Sequence, residues 1–179
     1  MFNFKKVCLV LLPLLFVSQI GCTQQIPSDR PSILNPEFDK KLSQTISFTI
    51  PLMGVQELHK IQDEVYIFDT REQKEFDLSD IKGAQFLGFE DFDIQKLGDI
   101  SKDSKIVLYC SIGYRSEKIG EQLVKLGYSN VYNLYGSIFE WVNQGFPVVD
   151  KAGETTRKLH TYNKAWGKWV EDNKTEKIW

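Results

Sequence analysis

The stretch Lys105–Gly127, KIVLYCSIGYRSEKIGEQLVKLG, joins two different periodicities through a short turn. KIVLYC is a short apolar run bounded by turn residues, which predicts a buried strand ending at Cys110. RSEKIGEQLVKLG puts Ile119, Leu123, Val124 and Leu126 on an amphipathic helix closed by Gly127. Ligands of an open α/β sheet bind beyond the carboxyl ends of its strands, and Cys110 falls at that edge. Gly113 allows a backbone angle that other residues resist. Successive N–H groups in such a turn, with the helix N-terminus behind them, form a nest for an anion. Ser116 is placed to cap that helix. These surroundings favour thiolate over thiol at Cys110. A small apolar residue closing a buried strand is the plainer reading of the cysteine taken alone.

Elements of the same two kinds continue on both sides. ISFTI (Ile46–Ile50) reads as a short strand, and GVQELHKIQ as a helix with Val55, Leu58 and Ile61 on one face. EVYIFD (Glu64–Asp69) reads as a buried strand, AQFLGF as a further short one, and DFDIQKLGDI as partly helical. VYNLYG is a strand, SIFEWVNQG a short helix, and FPVVD follows. This alternation predicts an α/β fold, a single domain over 43–150 with a central parallel sheet and helices on both faces. No internal repeat is evident. Residues 151–179 form a C-terminal extension expected to pack on the domain through Tyr162, Trp166 and Trp169.

Four segments carry a family resemblance. CSIGYRS resembles the active-site loop of the rhodanese sulfurtransferases, with Cys110, Gly113, Arg115 and Ser116 at matching places. FDTREQKEF resembles that family's Asp-x-Arg segment through Asp69, Arg71, Glu75 and Phe76. SDIKGAQFLG keeps Ile81, Gly83 and Ala84, with Ser79 and Asp80 in place of the usual Gly-His pair. VYNLYGSIFEWVNQGFPV matches at Leu134, Gly136, Trp141, Gly145 and Pro147, with Ser137 replacing one glycine of the usual pair. Together the segments cover about Ile50 to Val149.

The resemblance implies a sulfurtransferase without cofactor or metal, in which Cys110 is the catalytic nucleophile. It takes sulfane sulfur from thiosulfate or a low-molecular persulfide and hands it to a thiol, cyanide or protein acceptor. Ser111, Ile112, Gly113, Tyr114, Arg115 and Ser116 would form the loop around the persulfide, supported by Asp69 and Arg71. Six residues from Cys110 to Arg115 make a shorter loop than the related phosphatases carry, which ranks a Cys-based phosphatase or arsenate reductase below sulfur transfer. A non-enzymatic persulfide carrier or partner-binding module is the alternative of a different class. Arg115 is expected to pair with a carboxylate under the loop, Asp69 being the candidate, and Arg71 with Glu75 as a scaffold pair on a helix turn. Many thiosulfate-using members carry a cation directly after the cysteine. Ser111 stands there, so a less cationic mouth and weak thiosulfate use are expected. Trp141 is expected in the core, His59 on a surface helix without a role, and His160 outside the core domain.

The chain of 179 residues is 42% hydrophobic and 26% charged, with net charge −2, which suits a globular domain rather than disorder. No basic stripe with interleaved aromatics supports nucleic-acid binding. The two histidines are too few for a His-rich metal site. MFNFKK followed by the 11-residue apolar stretch Val7–Val17 predicts a signal peptide over 1–21. Gly21 before Cys22 resembles a lipobox, with Gln19 where that pattern carries an apolar residue. A plain secretory signal and an uncleaved anchor helix are the alternatives. Residues 22–42, with three prolines and no periodicity, read as a flexible tether. Cleavage before Cys22 leaves 20 basic against 24 acidic residues, so a lipid on Cys22 would have to hold the protein to its membrane. The expected location is the periplasmic side of a bacterial membrane, the outer one slightly favoured. Cys110 would then be the one free thiol of an exported protein.

Overall fold

The computed structural model describes residues 25–179, so the leader 1–21 and Cys22 lie outside the described residues. Strands Leu52–Met53 (β1), Tyr66–Asp69 (β2), Gln85–Phe86 (β3), Ile106–Tyr109 (β4) and Val131–Leu134 (β5) form one all-parallel sheet ordered β1-β5-β4-β2-β3. β4 is central. Its Ile106 and Leu108 pack with Phe68, Ile119 and Leu123, while Val107 and Tyr109 pack with Ile67, Leu58 and Phe139. Side chains alternate across a strand, so a strand covered on both faces must be apolar throughout. That is why KIVLY has no polar interruption after Lys105.

Helix Tyr114–Lys125 (α4) covers one face through Ile119 and Leu123. Helices Pro36–Ser43 (α1), Val55–Ile61 (α2) and Ser137–Asn143 (α5) contribute to the cluster on the other. The helix Gln73–Leu78 (α3) follows β2. Asp69 lies level with Tyr109 in the β2–β4 register, so the residues after both strands emerge side by side.

The tether expected over 22–42 is not what residues 25–42 form. Asn35 accepts hydrogen bonds from the N–H groups of Glu37 and Phe38, and Pro36 sits in the first turn of α1. Phe38 and Leu42, four apart on one helix face, are fully buried, and Trp169 stacks on Phe38 at 5.5 Å. Arg30 pairs with Asp39, which also accepts the Tyr135 hydroxyl from the end of β5. Asn35–Pro36 is a cap followed by a helix-starting proline, and proline content alone misreads it. An Asn35→Ala change is expected to cost about 1 kcal/mol in thermal unfolding. No change in unfolding temperature would mean that this helix does not contribute to the fold.

Ile46–Ile50 is not a strand either. The buried Glu117 carboxylate of α4 takes the N–H groups of Ser47 (2.8 Å) and Thr49 (3.0 Å), and Phe48 between them has φ 56°. Those donors cannot also serve a sheet ladder.

Beyond the sheet, Val148–Val149 (β6) pairs antiparallel with Thr155–Thr156 (β7), and Lys158–His160 (β8) parallel with Glu176–Ile178 (β9). Leu159 and Val170 are buried in the larger cluster, and the Asn143 side chain bonds the backbone of Trp169 and Glu171. The short helix Lys164–Gly167 (α6) lies between β8 and β9.

Candidate active site

Cys110 follows the last residue of β4, and the turn to α4 is closed by Gly113 at φ 117°. A Cβ on Gly113 would meet the Asn133 side chain at 3.4 Å, an ordinary contact, so it is the backbone conformation that calls for glycine. The Gly113 N–H donates to Cys110 Sγ at 3.1 Å. Burial alone would push the Cys110 thiol up. The Arg115 charge and the N–H groups of Ser116, Gly113 and Ile112 outweigh it and hold the thiol below its ordinary value. The loop therefore selects the ionised sulfur while exposing only 1% of the residue.

Two ion pairs support the loop, one fully buried and one part-buried, and both differ from the expected partners. Arg71 pairs with Asp69, not Glu75: its Nη2 lies 2.6 Å from Asp69 Oδ2, and neither side chain is exposed. Arg71 also donates to the Ser79 carbonyl at 2.6 Å and stands over the Tyr109 ring. Arg115 pairs with Glu75, not Asp69, through two hydrogen bonds of 2.7 and 3.0 Å, with Glu72 at 3.6 Å. Burial would raise Glu75, but the Arg115 guanidinium with Arg71 behind it holds that carboxyl below its usual range. The expected Arg71–Glu75 pair assumed one helix. Arg71 precedes α3, whose Glu72 caps the helix reciprocally with Glu75, so the two are not helix neighbours.

Ser111 lines the cleft, but its hydroxyl is turned to the ion pair of Arg115 and Glu75 rather than left free at the mouth. It is buried, its hydroxyl donates to Glu75 at 3.3 Å, and it accepts from Arg115 at 3.1 Å. Ser116 does not cap α4, which begins two residues earlier; its hydroxyl donates to Asn133 Oδ1 at 2.7 Å. Asn133 in turn donates to the Gly113 carbonyl at 2.9 Å, tying the turn to β5. Ile112 is buried at the cleft wall and Tyr114 is exposed on it.

Sequence reasoning missed Asn133 and Ser137 as parts of this site. Asn133 was legible as the one polar residue in VYNLY. Ser137, at φ 52°, accepts the Cys110 N–H at 3.2 Å and donates to Leu134 O. Its hydroxyl supplies a hydrogen bond that glycine could not, in a conformation glycine would adopt freely.

The cleft above Cys110 has a volume of about 550 Å³, walled by Phe89, Ile112, Tyr114 and the extension's Tyr162 and Trp166. Tyr162 does not pack the extension down as expected: it is 53% exposed, with its ring 5.6 Å above the Arg115 guanidinium. His160 is buried outside the cleft lining, and its Nδ1 accepts the Tyr162 N–H at 3.1 Å. Burial lowers His160 more than Glu75, 3.9 Å away, raises it, which favours the neutral ring whose Nδ1 accepts from Tyr162. His59 stacks on Phe146 at 4.3 Å, and Trp141 is a core residue. Among the described residues no group of three or more His, Cys, Asp or Glu side chains comes together to hold a metal.

A family model described as "Rhodanese-like domain" matches residues 54–144, just over half of the chain. A sulfurtransferase of Allochromatium vinosum is 38% identical over 58 residues, covering 32% of this chain and 54% of that protein. A tRNA uridine(34) hydroxylase of Acinetobacter baylyi is 34% identical over 89 residues, covering 46% of this chain and 28% of that protein. The chain thus spans about half of the first relative and about a quarter of the second. The solution structure of a rhodanese-like domain from Anabaena sp. superposes with a TM-score of 0.52 at 20% identity, covering 57% of this chain and 80% of that one.

Proposed function

Because the chain belongs to the family of rhodanese-like domains, we propose that it is a sulfurtransferase working through a Cys110 persulfide. The observation that carries this reading is the Cys110 sulfur, ionised below its ordinary range by Arg115 and loop N–H groups and opening on a cleft. The thiolate attacks the outer sulfur of the donor, forming the Cys110 Sγ–S bond as the donor's S–S bond breaks. The electron pair leaves on a thiolate, or on sulfite when the donor is thiosulfate. An incoming thiolate or cyanide then takes the outer sulfur and releases Cys110 as thiolate, so two half-reactions and ping-pong kinetics are expected.

Arg115 already spends its fork on Glu75 and Ser111, which argues against a phosphatase, where a free guanidinium must clamp the oxyanion. We propose also that residues 1–21 direct export and that Cys22 carries a lipid. Arg30 already folds back onto Pro27 O. Five residues beyond Cys22 reach only roughly 17 Å at about 3.4 Å each, which would seat the domain against the bilayer.

Intact-mass measurement after exposure to thiosulfate and to glutathione persulfide tests the enzyme reading. Wild type is expected to gain one sulfur atom and to lose it to cyanide, with thiocyanate appearing over repeated turnovers. No added sulfur from any donor would overturn the reading.

A further inference from the structure

We infer that the extension makes this site specific for persulfides whose organic group is apolar and carries no charge, with Tyr162 and Trp166 as specificity-determining residues; this rests on the sulfurtransferase reading and names its donor class. Among the described residues, the charged side chains that line the cleft beside the Cys110 sulfur are Arg115, Glu72 and Glu90. Arg115 is held by both oxygens of Glu75, and Glu72 stands 3.6 Å away, so two carboxylates answer one guanidinium. Glu90 adds a third carboxylate, and Lys41, over the Trp166 ring at 5.4 Å, does not line the cleft. The Tyr162 ring covers the guanidinium from the cleft side of that cluster. A dianion such as thiosulfate therefore meets net negative charge, and so does glutathione persulfide with its two carboxylates.

What the cleft offers instead is aromatic and aliphatic surface: Phe89, Ile112, Tyr162 and Trp166. Such walls bury an apolar group at the reacting end of a donor. The Tyr162 backbone is at φ 64°, an unfavourable region for a bulky residue, and it is held there by the His160 acceptor. An exposed ring kept in a strained conformation over the active-site arginine points to a role at the site rather than in packing.

With benzyl persulfide as the probe, the Cys110 thiolate forms the new S–S bond to the terminal sulfur. The donor's S–S bond breaks, its pair leaves as benzyl thiolate, and the proton stays on the transferred sulfur. Rates of sulfur loading are to be compared for benzyl persulfide, glutathione persulfide and thiosulfate, using wild type, Tyr162→Asn and Trp166→Leu. Asparagine tolerates the left-handed backbone, so the first variant removes the ring without adding strain. Wild type is expected to load from benzyl persulfide at least about 10-fold more efficiently than from thiosulfate or glutathione persulfide, which bring further negative charge. Tyr162→Asn is expected to lower the apolar donor's efficiency by roughly 10-fold and to raise that of thiosulfate, as the ring leaves Arg115; Trp166→Leu lowers only the former. Equal efficiency across donors, or a preference that both variants leave unchanged, overturns this inference while the sulfurtransferase reading stands. No loading from any donor overturns both.

Discussion

A Cys110→Ser protein is expected to take up no sulfane sulfur, a loss of more than about 10³-fold in transfer to cyanide, with thermal unfolding close to wild type. The loop is built around the sulfur's charge rather than its bulk. Gly113 N–H points at Sγ from 3.1 Å, and the Arg115 charge adds to the N–H groups of Ser116 and Ile112 in lowering the thiol. A serine hydroxyl fits the same space and can accept from Gly113, so the fold has little to lose. It is not ionised near neutral pH, and neither His160 nor Glu75 is free to serve as its base: His160 spends Nδ1 on Tyr162 N–H, and Glu75 is engaged by Arg115. The same balance sets a pH signature in wild type. Alkylation of Cys110 by iodoacetamide should reach half its maximal rate below the ordinary thiol value of 9.0. A midpoint at or above that value would mean that burial wins over Arg115 and the loop N–H groups, leaving a thiol too weakly ionised for the proposed chemistry.

Strands β2 to β5 and the loop were legible because each is a local pattern, whereas the two-residue β1 was not and was expected at Ile46–Ile50 instead. KIVLYC declares a strand buried on both faces, and Gly113 marks the turn that aims amides at the sulfur. Partnerships across the fold were less so. Arg71 and Glu75 sit four apart, but the helix starts after Arg71, and the side chains divide between Asp69 and Arg115. The α1 segment was hidden by its prolines, although Asn35, Phe38 and Leu42 carry the cap and the apolar spacing. Tyr162 could not be placed from sequence at all. Its position depends on β8 lying beside α3, a contact between residues about eighty apart in the chain. The resemblance ended near Val149, and the extension is where this site gains its apolar roof.

An Asp69→Ala substitution is expected to destabilise the protein by about 3–5 kcal/mol, a large part of a typical domain's stability. Arg71 is fully buried, and Asp69 is the carboxylate that contacts it, through three hydrogen bonds from its guanidinium and one from its backbone. Its Nη1 has no hydrogen-bond partner among the described residues, so the guanidinium has little to fall back on. Removing Asp69 leaves a buried cation with the Ser79 carbonyl and the Tyr109 ring. The cost comes from that uncompensated charge rather than from the worth of the pair, so replacing both residues, as Asp69→Leu with Arg71→Met, should recover most of it. Asp80 gives the prediction a pH dependence. Burial and the Asp69 charge push its carboxyl up to about 7, from an ordinary 3.8, while Arg71 pulls the other way. In wild type the folded state therefore holds a proton that the unfolded chain has released, and Asp80 takes stability away as pH rises from about 4 to 7. Without Asp69 the repulsion is gone, and Asp80 can ionise beside an unpaired Arg71. The Asp69→Ala defect should therefore be smaller at pH 8 than at pH 5, measured by urea unfolding at each. An equal defect at both would show that Asp80 does not reach Arg71, and a double substitution as unstable as Asp69→Ala would sink the unpaired-charge explanation itself.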